Sequence, residues 1–132
     1  LTKLHTLLYK KFGGRFLGTF LGNPICMITA VGRKSGNLRS IPLLTIPYEN
    51  DYILVASSGG SPLHPGWYYN LVNNPKIEMT VNSKTFTANA NKLSEDEKES
   101  IWPYIIKACP FYEEYRQKTT RNIPVFICYA IS

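Results

Sequence analysis

The feature that most constrains this chain is a succession of short apolar segments, each closed by turn residues. Ile25 to Val31, Ser40 to Tyr48, Asp51 to Ser57, Lys76 to Val81, Lys84 to Lys92 and Ile123 to Ala130 all have strand character. Glu49-Asn50 and Asn82-Ser83 read as hairpin turns between neighbours. Ile77, Met79 and Val81 alternate with polar residues, the period of a half-buried strand. Pro42 and Pro47 remove ladder donors, so Ser40 to Tyr48 belongs at an edge or a bulge. The strands do not alternate strictly with helices, which argues against a parallel Rossmann-like sheet. The expected fold is mainly β (α+β), with about six antiparallel strands in a sheet or small barrel and flanking helices. At 132 residues, the chain has enough length for one core.

Helical signals fall between and before these strands. Ser94 followed by Glu97 is a capping-box pattern, opening a helix to about Lys107 with a kink expected at Pro103. Pro110 to Lys118 reads as a short helix. Pro65 is expected at the first position of another, which runs to Asn70 or Val72 and is ended by Asn73-Asn74-Pro75. Leu1 to Leu21 reads as an amphipathic basic helix, broken or kinked at Gly13-Gly14. It can pack on the domain or lie on an anionic membrane surface. The expected organisation is therefore a basic N-terminal helical segment, residues 1–22, and a barrel domain, residues 23–132.

Charge is distributed unevenly. No Asp or Glu precedes Glu49, while the first 48 residues hold Lys3, Lys10, Lys11, Arg15, Arg33, Lys34 and Arg39. That third carries +7 of a net +6, so the remainder is −1. Such asymmetry points to an anionic partner: nucleic acid, a membrane surface or an acidic cofactor. The stretch GRKSG (Gly32 to Gly36) is not a P-loop, yet two glycines allow a turn whose N–H groups can converge on an anion. Arg33, Lys34 and Ser35 add donors, and Arg39 can return to the same place. On these residues alone, a solvated turn and an anion seat both remain open. Small residues at Ala56 to Ser58 let a flat ring approach the backbone, with Trp67 as a wall or a core residue. Tyr112 and Tyr115, at i and i+3, are either a packing stripe or two hydroxyls over a pocket.

The catalytic inventory is thin. His5 and His64 have no Cys, Asp or Glu at ligand spacing, so no metal site is expected. Cys26, Cys109 and Cys128 form no C-x-x-C pair and no disulfide framework, which fits reduced thiols in a cytoplasmic protein. No apolar run is long enough to cross a membrane. No nucleophile motif is present, so an enzyme of this sequence would draw its chemistry from a bound cofactor. Nucleic-acid signatures are absent too, and charge alone does not make a nucleic-acid module.

Four segments together carry a resemblance: TAVGRKSGNLRSIPL, VASSGGSPLHPGWYYNLVNNP, the hairpin that follows, and CPFYEEYRQKTTRNIPVFIC. From about Asn23 to Cys128 the chain resembles the deazaflavin-dependent nitroreductase family, whose members use coenzyme F420 and include F420H2-dependent quinone reductases. The resemblance implies a split β-barrel like that of FMN-binding oxidoreductases, often dimeric in related groups, so a homodimer is an expectation. It implies that Arg33, Lys34, Ser35 and Arg39 hold the anionic phosphate and glutamate tail of F420. Ser40, Ile41, Pro42, Val55, Ala56, Ser57 and Ser58 would line the deazaflavin, closed by Gly66, Trp67 and Asn70. Tyr112 and Tyr115, with Ser57, would be the catalytic residues facing the substrate.

The implied activity is hydride transfer from reduced F420 to a small hydrophobic acceptor: a quinone, a nitroaromatic or an activated alkene. A Tyr hydroxyl or water would supply the proton. A non-catalytic F420-binding or storage protein is the alternative, as is an FMN-dependent oxidoreductase on the same fold, with FMN the less favoured cofactor. Nucleic acid is not expected as a partner. A cytoplasmic protein is expected, with peripheral contact through the basic helix to the inner face of the cell membrane. Leu44 and Cys109 stand where a nitro-reducing member of the family has tyrosines, and Ser58 where it has a cation. These departures fall in the expected substrate pocket and on the tail-binding side.

Overall fold

The computed structural model describes residues 19–20 and 22–131. Eight strands form one antiparallel sheet: β1 (Thr19–Phe20), β2 (Asn23–Val31), β3 (Leu38–Leu44), β4 (Ile46–Tyr48), β5 (Asp51–Val55), β6 (Lys76–Val81), β7 (Lys84–Lys92) and β8 (Val125–Ala130). Between them lie a 3-10 turn at Ser58–Gly60 and helices α1 (Gly66–Asn73), α2 (Glu95–Ala108) and α3 (Phe111–Lys118). The hydrogen-bonded order is β1-β2-β6-β7-β8-β5-β4, with β3 on β2. One extreme of this arrangement is β3 and the other is β4, which are consecutive in the chain. The sheet must therefore curl until its ends approach, and this gives the half-closed, split-barrel form expected.

The strand read as Ser40 to Tyr48 is in fact two, divided at Thr45. Thr45 is fully buried; its N–H donates to Pro24 O at 2.9 Å and its hydroxyl to Ile53 O at 3.3 Å. This one residue bonds to both sides of the seam, so the chain leaves β2 and joins β5 there. Pro42 and Pro47 lie on strands with one partner each, as their missing N–H requires. The β6–β7 hairpin has its expected bounds, and Asn82 and Ser83 both take positive φ, 50° and 68°, as a tight two-residue turn demands.

The helix expected over Leu1 to Leu21 is corrected at Thr19–Phe20, which form β1 instead. Thr and Phe favour the extended backbone, and they pair with Pro24 and Asn23 around Gly22. The rest of that segment, including Gly13-Gly14 and His5, lies outside the described residues. Pro65 is the N-cap of α1, one position earlier than expected, with φ −67° and ψ 152°. The capping box of α2 is present: Glu97 N–H donates to Ser94 Oγ at 3.2 Å, and Ser94 N–H to Glu97 Oε1 at 2.8 Å. The helix runs through Pro103 to Ala108.

Two apolar clusters hold the elements together. One gathers Cys26, Ile28, Leu54, Met79, Phe126 and their neighbours, with Leu71 of α1 packed among them. The other joins Ile46, Ile53 and Val125 to Trp102, Ile105 and Tyr112 of α2 and α3. Burial of a side chain such as Phe126 stabilises by about 2–3 kcal/mol. The second cluster fixes α3 against the sheet. Buried Lys98 of α2 adds to this, donating to Asn122 Oδ1 and, at 3.2 Å, to Ile123 O, and pairing with Glu95 at 3.1 Å.

Candidate functional site

A cleft of about 730 Å³ opens between these layers. Its walls come from three places that the fold brings together. Ile41 to Leu44 of β3 form one side, Leu54 and Val55 of β5 with Ser57 to Gly59 beyond it form the floor, and Phe111, Tyr112 and Tyr115 of α3 stand opposite. Ile25, Pro65 and Trp67 complete the lining. Eight of the residues singled out in the sequence therefore meet here: Ile41, Pro42, Val55, Ser57, Ser58, Trp67, Tyr112 and Tyr115.

The lining is mostly apolar, with a few hydroxyls. Ser57 and Tyr112 are 6% and 5% exposed, and neither hydroxyl has a hydrogen-bond partner among the described residues. A buried polar group without a partner is costly unless a ligand satisfies it. Burial pushes the Tyr112 hydroxyl pKa well up, with Cys109 and Tyr115 adding to the effect, so Tyr112 stays protonated as a donor. The rings of Tyr112 and Tyr115 lie 6.3 Å apart at 72°, so the pair is a packing stripe and a pocket wall at once. Trp67 likewise serves both roles: it packs 5.9 Å from Phe126 and lines the cleft.

The cationic turn lies beside this cleft, outside its lining. Gly32 N–H donates to Asn37 O at 2.7 Å, Gly36 N–H to Gly32 O at 2.8 Å, and Asn37 N–H to Ser35 Oγ at 3.1 Å. Asn70 Oδ1 accepts from both Arg33 N–H and Arg33 Nη1 at 3.1 Å. Arg33 also donates to Gly66 O at 3.3 Å and lies 4.9 Å from the Tyr69 ring centre. Arg33, Gly66 and Asn70 thus fasten the turn to α1, and much of the backbone expected to face an anion is already engaged. A Cβ on Gly32 would stand 3.0 Å from both Arg39 Nε and Ser35 Oγ, so these two groups converge over that glycine. Lys34 and Arg39 are exposed, and no ion pair with an acid forms for either among the described residues.

The remaining sequence candidates lie outside the lining. Ser40 Oγ shares a 2.8 Å hydrogen bond with Thr29, and Ala56 is fully buried beneath the floor. Of the two departures, Leu44 lines the cleft, whereas Cys109 is buried next to Tyr112 and 3.5 Å from the Asn23 amide. The residue that sequence reasoning missed is Arg121. It donates to the carbonyls of Ala56, Ser57 and Ser61 at 3.1, 2.7 and 3.0 Å, and lies 2.6 Å from His64 Nδ1. Its position at the head of the RNIPVF approach to β8 carries no local signal of that task. No group of three potential metal ligands occurs among the described residues.

The profile of the F420H2-dependent quinone reductase family matches residues 1–130. This chain belongs to that family. Membership brings the activity class, an oxidoreductase, and the cofactor, F420 in its reduced form. An F420H2-dependent quinone reductase of Mycobacterium tuberculosis strain H37Rv is 30% identical over 131 residues, which is 96% of this chain and 88% of that protein. A solved F420H2-dependent reductase, FDR-A, is 40% identical with a TM-score of 0.72, over 80% of this chain and 94% of its own. A structure described as a domain-swapped dimer is 37% identical with a TM-score of 0.73, over 92% and 97% of the two chains. The half-barrel with flanking helices agrees with these likenesses.

The residues present fit such a cofactor. An apolar cleft with unsatisfied buried hydroxyls suits a planar heterocycle with polar edges. The cations and converging donors beside it suit a tail of phosphate and carboxylates.

Proposed function

We propose that this chain reduces a quinone with hydride from reduced F420, using the cleft between β3, the Ser57–Gly59 segment and α3. The observation that carries this reading is the pair of buried, unpartnered hydroxyls of Ser57 and Tyr112 facing a cleft flanked by unpaired cations. Ser57, Ser58, Ile41, Pro42, Val55 and Trp67 would hold the deazaflavin ring, and Lys34, Arg39 and Ser35 the tail. Reduced F420 supplies the hydride.

The protein's own contribution is binding, orientation and a donor. Tyr112 Oη keeps its proton, so it stabilises negative charge on an acceptor oxygen by hydrogen bonding instead of giving the proton away. The proton that completes the reduction comes from water at the open mouth of the cleft. Leu44, Ile25 and Phe111 exclude water from the inner part and favour a flat apolar acceptor over a charged one. With Leu44 in place of a tyrosine, nitroaromatics are the weaker substrates.

The test is a titration with F420 and with FMN, followed by oxidation of F420H2 against a quinone panel including menadione. Tight F420 binding without turnover on any quinone sinks the enzymatic reading and leaves a binding or storage protein. In the same assay, replacing Lys34 and Arg39 together by Ala weakens F420 about 10- to 100-fold at low salt, and a tail-less deazaflavin fragment hardly at all. Equal losses for both ligands mean that the turn does not read the tail.

The F420-binding unit in this reading is residues 23–132 together with β1, which pairs with β2, and the basic segment ahead of β1 touches an anionic membrane surface. A homodimer is supported by the dimeric solved relative, and sedimentation measures it directly. A cytoplasmic site of action is supported by three unpaired, buried cysteines. No helix among the described residues is long and apolar enough to cross a membrane.

A further inference from the structure

The floor of the cleft holds an unusual backbone, tied at its entry by Ala56 N–H to Pro124 O at 2.9 Å and lying at Gly60 against Tyr115 of α3. Ser58, Gly59 and Gly60 take φ of 47°, 64° and 82°, three left-handed residues in succession, one of them with a Cβ. The hydrogen bonds within the loop are local: Gly60 N–H to Ser57 O at 2.9 Å, Ser61 N–H to Ser58 O at 3.0 Å, and Leu63 N–H to Ser61 Oγ at 3.2 Å. None of these fixes the loop relative to the barrel. A free chain would not dwell in this conformation, so something outside the loop must hold it.

Arg121 does so from 60 residues away in sequence or more. All three guanidinium nitrogens are engaged, on the carbonyls of Ala56, Ser57 and Ser61 and on the His64 ring. A planar fork of fixed donors can address diverging carbonyls at once, whereas an ammonium on a flexible stem cannot. His64 accepts through Nδ1, which requires the neutral ring with its proton on Nε2. The groups facing His64 are Arg121, Lys92 at the end of β7, and the Tyr68 and Tyr69 rings of α1, 4.4 and 5.8 Å away. No carboxylate stands among them. An imidazolium would lose its hydrogen bond from Arg121 and meet two cations.

We propose that Arg121 is a positioning residue for cofactor binding: seated on three loop carbonyls and on neutral His64, it holds Ser57 and Ser58 where they face the cleft. This rests on the F420 reading of the site. It also makes His64 the acid-sensitive member of the clamp. Protonation breaks one of the four ties and weakens the hold on Ser57 without unfolding the barrel.

The experiment compares wild type, Arg121→Lys and His64→Phe by two readouts. Hydrogen–deuterium exchange of residues 56–64 is measured without cofactor, and the dissociation constant for oxidised F420 is measured by its fluorescence at pH 7 and pH 5. Arg121→Lys should speed exchange in 56–64 about tenfold, leave β2 and β6 unchanged, and weaken F420 about tenfold. In turnover, KM for F420H2 should rise while KM for the quinone holds. His64→Phe keeps a ring against Tyr68 and leaves the carbonyl contacts. It should speed exchange about threefold and abolish the loss of F420 affinity between pH 7 and pH 5. Unchanged exchange in Arg121→Lys overturns the clamp, and faster exchange with unaltered affinity overturns the positioning role. If Arg121→Lys does not fold, His64→Phe decides: wild-type exchange with an undiminished pH effect refutes the proposal. Wild type that binds no F420 refutes the functional reading, while the exchange contrast still judges the clamp.

Discussion

The turn at residues 32–37 and the loop at residues 57–64 flank the same cleft, and both are short, glycine-bearing and left-handed in part. They are held in opposite ways. The turn closes on itself through Gly32, Gly36 and Asn37, and its tie to the body comes from Asn70 on a neighbouring helix. Its cations are left exposed. The loop is held by Arg121, whose charge is spent on the protein's own carbonyls. In the first region Arg33 is structural while Lys34 and Arg39 stay without an ion pair among the described residues; in the second the single guanidinium is wholly structural. Counting cations near a cleft does not separate the two; the partners of each guanidinium do.

Substitutions that distinguish the regions follow in order of size. Gly60→Ala places a Cβ 2.9 Å from Tyr115 O at φ 82°, colliding with the backbone of α3. It should cost about 2–4 kcal/mol, read from the denaturant midpoint, and lower F420 affinity with it. Asn70→Ala removes the acceptor shared by two Arg33 donors, one of them backbone, at a cost of about 1–3 kcal/mol. The turn would then loosen from α1, and F420 should lose affinity through its tail and not its ring. Gly36→Ala puts a Cβ into open space at φ 75°, so only backbone strain remains, about 1 kcal/mol, with F420 affinity retained. A Gly36→Ala as damaging as Gly60→Ala would break the contrast between an open turn and a wedged loop.

The smallest effect is that of pH. Burial, then Arg121 and Lys92, hold the His64 pKa below its ordinary 6.5. The unfolded chain therefore binds the proton more readily than the native one, and stability rises with pH across this window. Thermal midpoints should fall modestly as pH drops below about 6.5, and His64→Phe should flatten that slope. An unchanged slope would place the acid sensitivity elsewhere.

What the sequence made legible follows the same division between local and distant support. Ser94 and Glu97 cap each other three residues apart, so the start of α2 can be read from a window of four. The β6–β7 hairpin alternates along its own length and turns at its own Asn82-Ser83. The pocket residues of α3 were visible as a tyrosine pair. By contrast, Thr45 carries no mark of a strand boundary; it divides β3 from β4 because Pro24 and Ile53 are there to bond it. Arg121 looked like one more cation in a balanced region, since its partners lie near residue 60. Arg33 looked like a ligand for an anion, but it also anchors its own turn, because Asn70 approaches only when α1 docks. The resemblance to F420-using reductases supplied the candidate positions. It did not say which of them hold the protein and which can hold a ligand.

The pairing of β5 with β8 has a consequence for how the protein is made. Val55 meets Val125, and the strand just ahead of the cleft floor has β4 and β8 as its neighbours. A nascent chain leaves the ribosome from its N-terminus, so the floor is synthesised long before Arg121 and β8 emerge to hold it. Until then, half of the site exists without its support, with apolar strands exposed and no cleft to fill. Cofactor capture thus waits until Arg121 and β8 have emerged, and a chain stalled before residue 121 should have no grip on F420.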